Sequence, residues 1–306
     1  MTSTPFVLPV RTDDLTARPL TRADADAVVA LARADEREAL AAPMTELVDV
    51  LGTWRQPSVD LALDSISVWR GAQLVAYALV EGRGSVEAVV AADHRERGIG
   101  TALLAWLRAR SAARGLRTCG QTVPTGSPAE AFLMAAGGQA TYDSWVLELP
   151  IDRNVPALAL PDGHELDIAR DDELPAVHRI IDDAFSAWPE REPVPYADWA
   201  AEFLEGEEAA PWQRRIIRDG SGAVVGAAMV MASEDQMVWV NQLAVRSDRR
   251  SEGLGRALLA DAFAEGRRRG LPRAGLATDS RTGALPLYES VGMRVTDTFR
   301  HIVQTL

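Results

Sequence analysis

From residue 165 onward the apolar positions switch between a period of two and a period near 3.6. Residues 165–169 carry a short strand pattern. Leu174, Val177, Ile180, Ile181 and Phe185 then share one helical face, which Asp171 and Asp172 are placed to cap. Stretches 214–218 and 223–231 are strand-like and flank Asp219-Gly220-Ser221-Gly222, a hairpin turn signal. Residues 237–245 contain no charge, which predicts a central strand. Leu254, Leu258, Leu259, Ala262 and Phe263 line one face of a strong amphipathic helix over 253–269. Arg267, Arg268 and Arg269 sit in its last turn, where cations complement the helix dipole. A strand over 274–278, a short helix over 283–291 closed by Gly292, and strand material over 294–303 complete the series. Between the first helix and the hairpin, 186–211 is rich in Trp, Pro, Asp and Glu, with a helical stretch around 197–204. Antiparallel strands followed by a strand–helix–strand crossover predict a mixed sheet with helices on its faces.

The same pattern occurs twice. Residues 86–106 are VEAVVAADHRERGIGTALLAW and residues 241–261 are NQLAVRSDRRSEGLGRALLAD. Laid over each other, Val90 meets Val245, Arg95 meets Arg250, Gly98 meets Gly253 and Gly100 meets Gly255. The helix-like start at 20–32 corresponds to that at 168–181, and the turn at Arg70-Gly71-Ala72 to the one at 219–222. An offset of 155 residues is domain-sized rather than solenoid-sized, so the chain is a fused duplication. The Pro-rich stretch 150–163 ends in Pro-Asp-Gly and suits a linker. The expected division is 1–150, a linker over 151–163, and 164–306.

Composition narrows the function. The 306 residues carry 32 basic and 44 acidic side chains, a net charge of -12, and every basic residue is arginine. Cut after Pro150, the first half holds 14 arginines and 18 carboxylates, the second 18 and 26. An acidic chain argues against a general nucleic-acid binder, which needs a basic face. Without lysine there is no Schiff-base lysine and no lysine-dependent phosphate loop. The single cysteine, Cys119, excludes an intrachain disulfide and is read as a small core residue. His94, His164, His178 and His301 show no metal-ligand spacing, so no metal is expected. No signal peptide and no run of about 18 apolar residues occur, so a cytoplasmic protein with no membrane partner is expected.

The chemistry concentrates where strand 237–245 enters helix 253–269. A helix N-terminus offers unpaired N–H groups and partial positive charge, which suit an anionic diphosphate. Gly253 and Gly255 remove side chains from that approach, and Arg249, Arg250 and Arg256 add charge. A dinucleotide-binding turn places its first glycine directly after the strand; here Gly253 lies eight residues past Val245, and a third glycine is missing. A tight connection that binds nothing is the bland alternative, and the second copy of Arg-x-x-Gly-x-Gly weighs against it.

A Val-ended strand, Arg-x-x-Gly-x-Gly and an apolar helix resemble motif A of the GNAT superfamily of N-acetyltransferases. Leu287-Tyr288-Glu289-Ser290-Val291-Gly292-Met293 is similar to that family's Leu-Tyr-x-x-x-Gly-Phe motif, with Met293 in the Phe position. The resemblance covers essentially the whole chain as two tandem units, similar in architecture to the mycothiol synthase type. It implies an α/β (α+β) fold of two GNAT domains, each a mixed, mostly antiparallel six- to seven-stranded sheet with about four helices. It implies acetyl-CoA as cofactor. Leu243, Ala244 and Val245 would lie along the pantetheine arm, and a strand amide would polarise the thioester. The backbone from Arg250 and Ser251 through Glu252, Gly253, Leu254, Gly255 and Arg256 would hold the diphosphate. Tyr288 would be the general acid.

Two departures from the family pattern are informative. Ser251 and Glu96 stand where the family often has Gly. Trp239 and Asn241 stand where relatives often carry a carboxylate, and Asn241 cannot take a proton at neutral pH. The base is therefore open: ordered water, Glu234, Asp235 or a carboxylate of 186–208. The first unit keeps Val90, Arg95, Arg97, Gly98, Ile99, Gly100 and Thr101 as a second cofactor loop, but Leu133 replaces the tyrosine. It is expected to be a degenerate scaffold beside a catalytic C-terminal unit. The aromatic and acidic segment 184–212 is either a surface helix pair or a wall for a cationic acceptor.

The expected activity is direct acetylation of a primary amine of a small molecule, by a monomer or homodimer. The alternatives are a non-enzymatic acyl-CoA-binding or regulatory protein, and a mycothiol-synthase-like enzyme acting on a sugar–cysteine amine. The second unit's tyrosine and complete loop weigh against the non-enzymatic reading.

Overall fold

The computed structural model describes residues 4–8, 14–150, 153, 155, 159–186, 192–206 and 208–306. Parts of the expected linker and of the 184–212 segment lie outside these. Packing divides the chain into two compact units: Met1–Asp143 with Thr298–Leu306, and Ser144–Asp297.

The first unit contains β1 (Leu15–Arg18), α1 (Ala25–Glu36), α2 (Leu47–Arg55), α3 (Leu61–Asp64), β2 (Ser65–Arg70) and β3 (Gln73–Val80). It continues through β4 (Val86–Val90), α4 (Ile99–Ala113), β5 (Thr118–Pro124), α5 (Pro128–Ala135) and the start of β6 (Gln139–Leu149). Strands β1-β2-β3-β4 form an antiparallel sheet, and Ser85, just before β4, meets Gly120 of β5 at a parallel bridge. Helix α4 buries Ile99, Leu103, Trp106 and Leu107 against β2, β3 and β4 residues such as Val68, Val75 and Ala78. Leu20, Val28, Trp54, Tyr77 and Leu79 form a second cluster under α1 and α2. Cys119 is free and buried, as expected of a core residue.

The second unit contains β7 (Glu165–Ile168), α6 (Leu174–Phe185), α7 (Tyr196–Phe203), β8 (Arg214–Arg218), β9 (Val224–Ala232) and β10 (Met237–Val245). After these come α8 (Leu254–Arg268), β11 (Arg273–Asp279), α9 (Leu285–Ser290) and β12 (Arg294–Thr305). The strands follow the sequence periodicity closely. One detail differs: Asp171 and Asp172 do not cap α6, because Glu173 accepts the Arg170 amide (2.8 Å) at the start of the turn. Arg218 clamps that turn, reaching Glu173 at 2.7 Å and Asp167 at 2.6 Å, and holds the Glu173 carboxylate below its usual range. Helix α8 packs Leu259, Ala262 and Phe263 on Val238 and Val240, while α6 covers the opposite face through Val177 and Ile181, packed with Ala227 of β9. A Cβ at Gly266 would lie 2.5 Å from Val238, so glycine is what lets α8 lie directly on β10.

Each unit takes its last strand from the other half of the sequence. The end of β6 pairs antiparallel with β11, from Ser144↔Asp279 to Leu149↔Ala274. The end of β12 pairs antiparallel with β5, from Phe299↔Pro124 to Thr305↔Thr118. The second unit's sheet thus has six strands in the order β6-β11-β10-β9-β8-β7. The chain repeat at 150–163 and the packing boundary at 143/144 differ by this exchanged strand. Among the described residues no helix is long and apolar enough to cross a membrane, and no cluster of ligating side chains could hold a metal.

Candidate active site

Strand β10 has partners on both edges only along its first part. It pairs with β9 from Val238 to Val245, but with β11 only from Met237↔Arg273 to Val240↔Leu276. The register with β9 slips between Val240 and Gln242, so Asn241 is the extra residue of a bulge. Beyond it, Ala277, Thr278 and Asp279 of β11 keep only their β6 partners. The two parallel strands therefore diverge, and the edge of β10 from Asn241 to Val245 opens into a wedge. The Arg246 amide bonds back to Val225 of β9 (2.9 Å). Strand hydrogen bonds alternate in direction, so the amides of Leu243 and Val245 face away from β9, into the wedge.

At the mouth of this wedge the chain turns through Arg246 to Gly253 into α8. Two residues there have left-handed backbone: Ser251 at φ 67° and Gly253 at φ 82°. Only Gly253 does so without steric cost. No side chain caps α8, whose first recorded helical bond runs from Ala257 N–H to Gly253 C=O (3.1 Å). The amides of Leu254, Gly255 and Arg256 are the unpaired N-terminal donors. The arginines divide into two classes. Arg246 is paired with Asp248 (2.6 Å), and Arg249 with Asp219 (3.1 Å). Arg250 and Arg256 are exposed and have no carboxylate partner among the described residues; Arg250 leans on the Val245 carbonyl (3.5 Å). Two free guanidinium groups beside unpaired helix amides make an anion cradle.

Further side chains belong to the same neighbourhood. Tyr288 on α9 is buried in the cluster of Val240, Leu259, Phe263 and Met293. Burial pushes its hydroxyl up to about 12, so it stays protonated at neutral pH. That hydroxyl makes no hydrogen bond among the described residues. Asn241 presents a buried Oδ1 with no partner, an unmet acceptor at the point where the strands diverge. Next to it, Gln242 Oε1 accepts from the indole N–H of Trp199 (2.9 Å), which ties α7 to β10. Trp199 also stands against His178, Tyr196 and Phe203 at ring separations of 5.4–6.1 Å. Glu234 and Asp235 are exposed in the β9–β10 turn, at the opposite end of β10 from the loop.

The first unit repeats the backbone and alters the side chains. Glu96 has φ 59° and Gly98 φ 84°, matching Ser251 and Gly253. Arg95, however, is held by Asp35 (2.7 Å), Glu38 (2.6 Å) and the Val90 carbonyl (3.2 Å). Arg97 is exposed, and Ile99, Gly100 and Thr101 open α4, with the Phe132 ring 3.6 Å from where a Gly100 Cβ would stand. Gln121 of β5 donates to the Ala88 carbonyl (3.0 Å), spanning the gap that stays open in the second unit. Leu133, at the Tyr288 position, is core.

The structure thus gathers the loop residues, Leu243–Val245, Asn241 and Tyr288 of the second unit around one wedge and helix terminus. Sequence reasoning did not single out Gln121, Gln242 or Glu87. Glu87 had a legible signal, being the one charge in the apolar strand VEAVV.

The acetyltransferase (GNAT) family model matches residues 174–293. A mycothiol acetyltransferase of Thermobispora bispora is 29% identical over 292 residues, covering 89% of this chain and 93% of the relative. One from Thermomonospora curvata is 33% identical over 220 residues, covering 68% and 69%. The crystal structure of a GCN5-related N-acetyltransferase from Sphaerobacter thermophilus superposes with a TM-score of 0.76 at 25% identity, over 96% of each chain.

Proposed function

The chain belongs to the GNAT family of acetyltransferases, and from that premise we propose that its second unit moves an acetyl group from acetyl-CoA to a primary amine of a small molecule. One observation carries the assignment: Arg250 and Arg256 lie unpaired beside free helix amides, at the open end of a strand wedge. Acetyl-CoA supplies an acyl carbon activated as a thioester. The amides of Leu254, Gly255 and Arg256, with the two guanidiniums, hold its diphosphate. The inward amides of Leu243 and Val245 bind the pantetheine arm and stabilise negative charge on the carbonyl oxygen. Asn241 Oδ1 accepts an N–H of the attacking amine and aims its lone pair. Tyr288 donates its proton to the departing thiolate and recovers it from solvent.

Nothing titratable on β10 replaces a base, since Trp239, Asn241 and Gln242 are all neutral. In this reading the amine arrives deprotonated, and its second proton leaves to water. The measurement is CoA release against a panel of amines. The rate (kcat/KM) should rise with pH along the acceptor amine's own ionisation, with no inflection from an enzyme carboxylate or imidazole. An inflection between pH 6 and 7.5 that stays fixed while the amine is varied would defeat this account.

The relatives named mycothiol acetyltransferase support a narrower second reading. In it the acceptor is a sugar–cysteine amine, which goes first in the panel. Turnover of that amine at least tenfold above simple alkylamines supports it; equal turnover removes it.

A further inference from the structure

One histidine stands beside the loop that the reading above gives to the CoA diphosphate. His164 lies just before β7, and its side chain is only 7% exposed. Each of its ring nitrogens faces an oxygen. Nδ1 is 3.3 Å from the Asp162 carbonyl, and Nε2 is 4.0 Å from the Glu252 carboxylate. Nε2 is buried and has no hydrogen-bond partner among the described residues. A neutral imidazole carries one N–H. With Nδ1–H directed at the carbonyl, Nε2 turns a lone pair toward a carboxylate. The imidazolium donates from both nitrogens and suits both acceptors. Glu252 needs such a partner. It directly precedes Gly253, where α8 begins, and a carboxylate there repels an anionic ligand. The other cation within 4 Å of it among the described residues is Arg249 (3.8 Å), whose closer contact is Asp219 (3.1 Å). Asp219 is fixed in the β8–β9 turn by the Ser221 amide (3.0 Å). Arg218, at the end of β8, is spent on Glu173 and Asp167. Asp162 and Glu165, on the histidine's own segment, are exposed acids. The first unit carries Arg97 at the Glu252 position, which calls for no such cover.

We infer that His164 is a positioning residue for acetyl-CoA: its imidazolium holds the Glu252 carboxylate back from the diphosphate and offsets its charge. The inference rests on the reading that this loop holds the CoA diphosphate. When His164 loses its proton, Glu252 is released and the loop's affinity for a diphosphate falls. Histidine is the side chain that changes charge near neutral pH, so cofactor affinity should fall as pH rises through that region. By linkage, diphosphate binding near neutrality should take up protons. At saturating acetyl-CoA the acceptor amine's pH dependence described above does not include this step.

The probe is dephospho-CoA, which keeps the diphosphate and lacks the ribose phosphate that would itself titrate near pH 6. It is titrated calorimetrically into the full-length protein at pH 6 and pH 8. Wild type should bind it about threefold more tightly at pH 6, the size expected of a partly exposed ion pair. His164→Gln keeps an N–H for Glu252 but cannot become charged. It should bind more weakly than wild type at pH 6 and lose the pH dependence. Glu252→Gln removes the charge that needs cover. It should bind equally at both pH values, at least as tightly as wild type at pH 6. Adding His164→Gln to it should change nothing further, whereas a merely structural histidine would weaken binding in either background. Should His164→Gln not fold by circular dichroism, the Glu252→Gln comparison carries the test. Equal wild-type affinity at the two pH values overturns the inference. So does a pH dependence that survives either substitution. In both cases dephospho-CoA still binds, so the reading of the loop stands. If wild type binds no dephospho-CoA at either pH, the reading of the loop fails and the inference with it.

Discussion

The two units carry the same backbone device at the same place and equip it differently. Glu96 and Gly98 turn left-handed at φ 59° and 84°, Ser251 and Gly253 at 67° and 82°. Beyond that backbone the agreement ends. Arg250 is free where Arg95 is bound by two carboxylates. The wedge beside β10 is open where Gln121 spans the gap beside β4. Tyr288 stands where Leu133 fills core. The exchange also runs the other way: the first unit has Glu87, an ionisable group on β4, where the second has neutral Gln242 on β10. Backbone geometry persists after duplication because it is needed to connect strand to helix. Side chains that meet a ligand are free to diverge.

The strongest test of that contrast is Tyr288→Phe. Loss of a positioned acid should lower kcat about 10²-fold with little change in the KM for acetyl-CoA. Leu133→Tyr in the first unit should restore nothing, because Gln121 still spans the gap. A Tyr288→Phe enzyme with wild-type turnover across pH would remove the functional asymmetry. Next in size is the arginine pair. Arg250→Ala and Arg256→Ala should each raise the acetyl-CoA KM about tenfold, as for lost charge-assisted contacts. Arg95→Ala should leave that KM alone and lower the melting temperature instead, since it strands Asp35 and Glu38. An equal KM effect from Arg95→Ala would show that both loops hold cofactor.

Much of this was readable before any coordinates. The period-two and period-3.6 stretches of the second unit mark its strands and helices to within a few residues, because burial on one face dictates which positions are apolar. The loop could be read because Arg250, Gly253 and Gly255 recur 155 residues apart. What stayed hidden is set by contacts distant in sequence. The strand exchange could not be seen, since β6 pairs with β11 and β12 with β5 through residues more than 120 positions apart. Nor could pairing of Arg95 with Asp35 and Glu38, about 60 residues away, while Arg250 stays free. Ser251 and Glu96 were noticed only as departures from glycine; their positive φ explains why glycine is favoured there.

The pH dependence of stability offers a smaller test of the same contrast. Glu87 is raised to about 7 by burial and by Glu81, so its folded pKa lies above its unfolded value near 4.5. The stability it contributes is present below about pH 4.5 and is lost as pH rises through 7. Glu87→Gln removes this loss. Its stability relative to wild type should therefore improve by about 3 kcal/mol between pH 4.5 and 8, read by denaturant unfolding. Gln242→Ala has no titrating group to remove, so its deficit should be the same at both pH values. A pH-independent difference for Glu87→Gln would mean that the carboxyl is not buried among like charges.

The smallest expected effect tests the feature the units share. A non-glycine residue in left-handed backbone costs roughly 1–2 kcal/mol, partly offset because glycine has more unfolded-state entropy to lose. Ser251→Gly and Glu96→Gly should therefore each stabilise the fold by about 0.5–1 kcal/mol, raising the melting temperature by a few degrees at most. The two should be similar, because the backbone angles differ by only 59° against 67°. Their effects on catalysis should part. Ser251→Gly relaxes the loop that carries the free Arg250 and should alter the acetyl-CoA KM by less than about threefold. Glu96→Gly should leave it unchanged, since Arg95 beside it is held by Asp35 and Glu38 whatever the loop does. Destabilisation by either glycine would mean that Ser251 or Glu96 makes a contact worth more than the backbone strain it imposes.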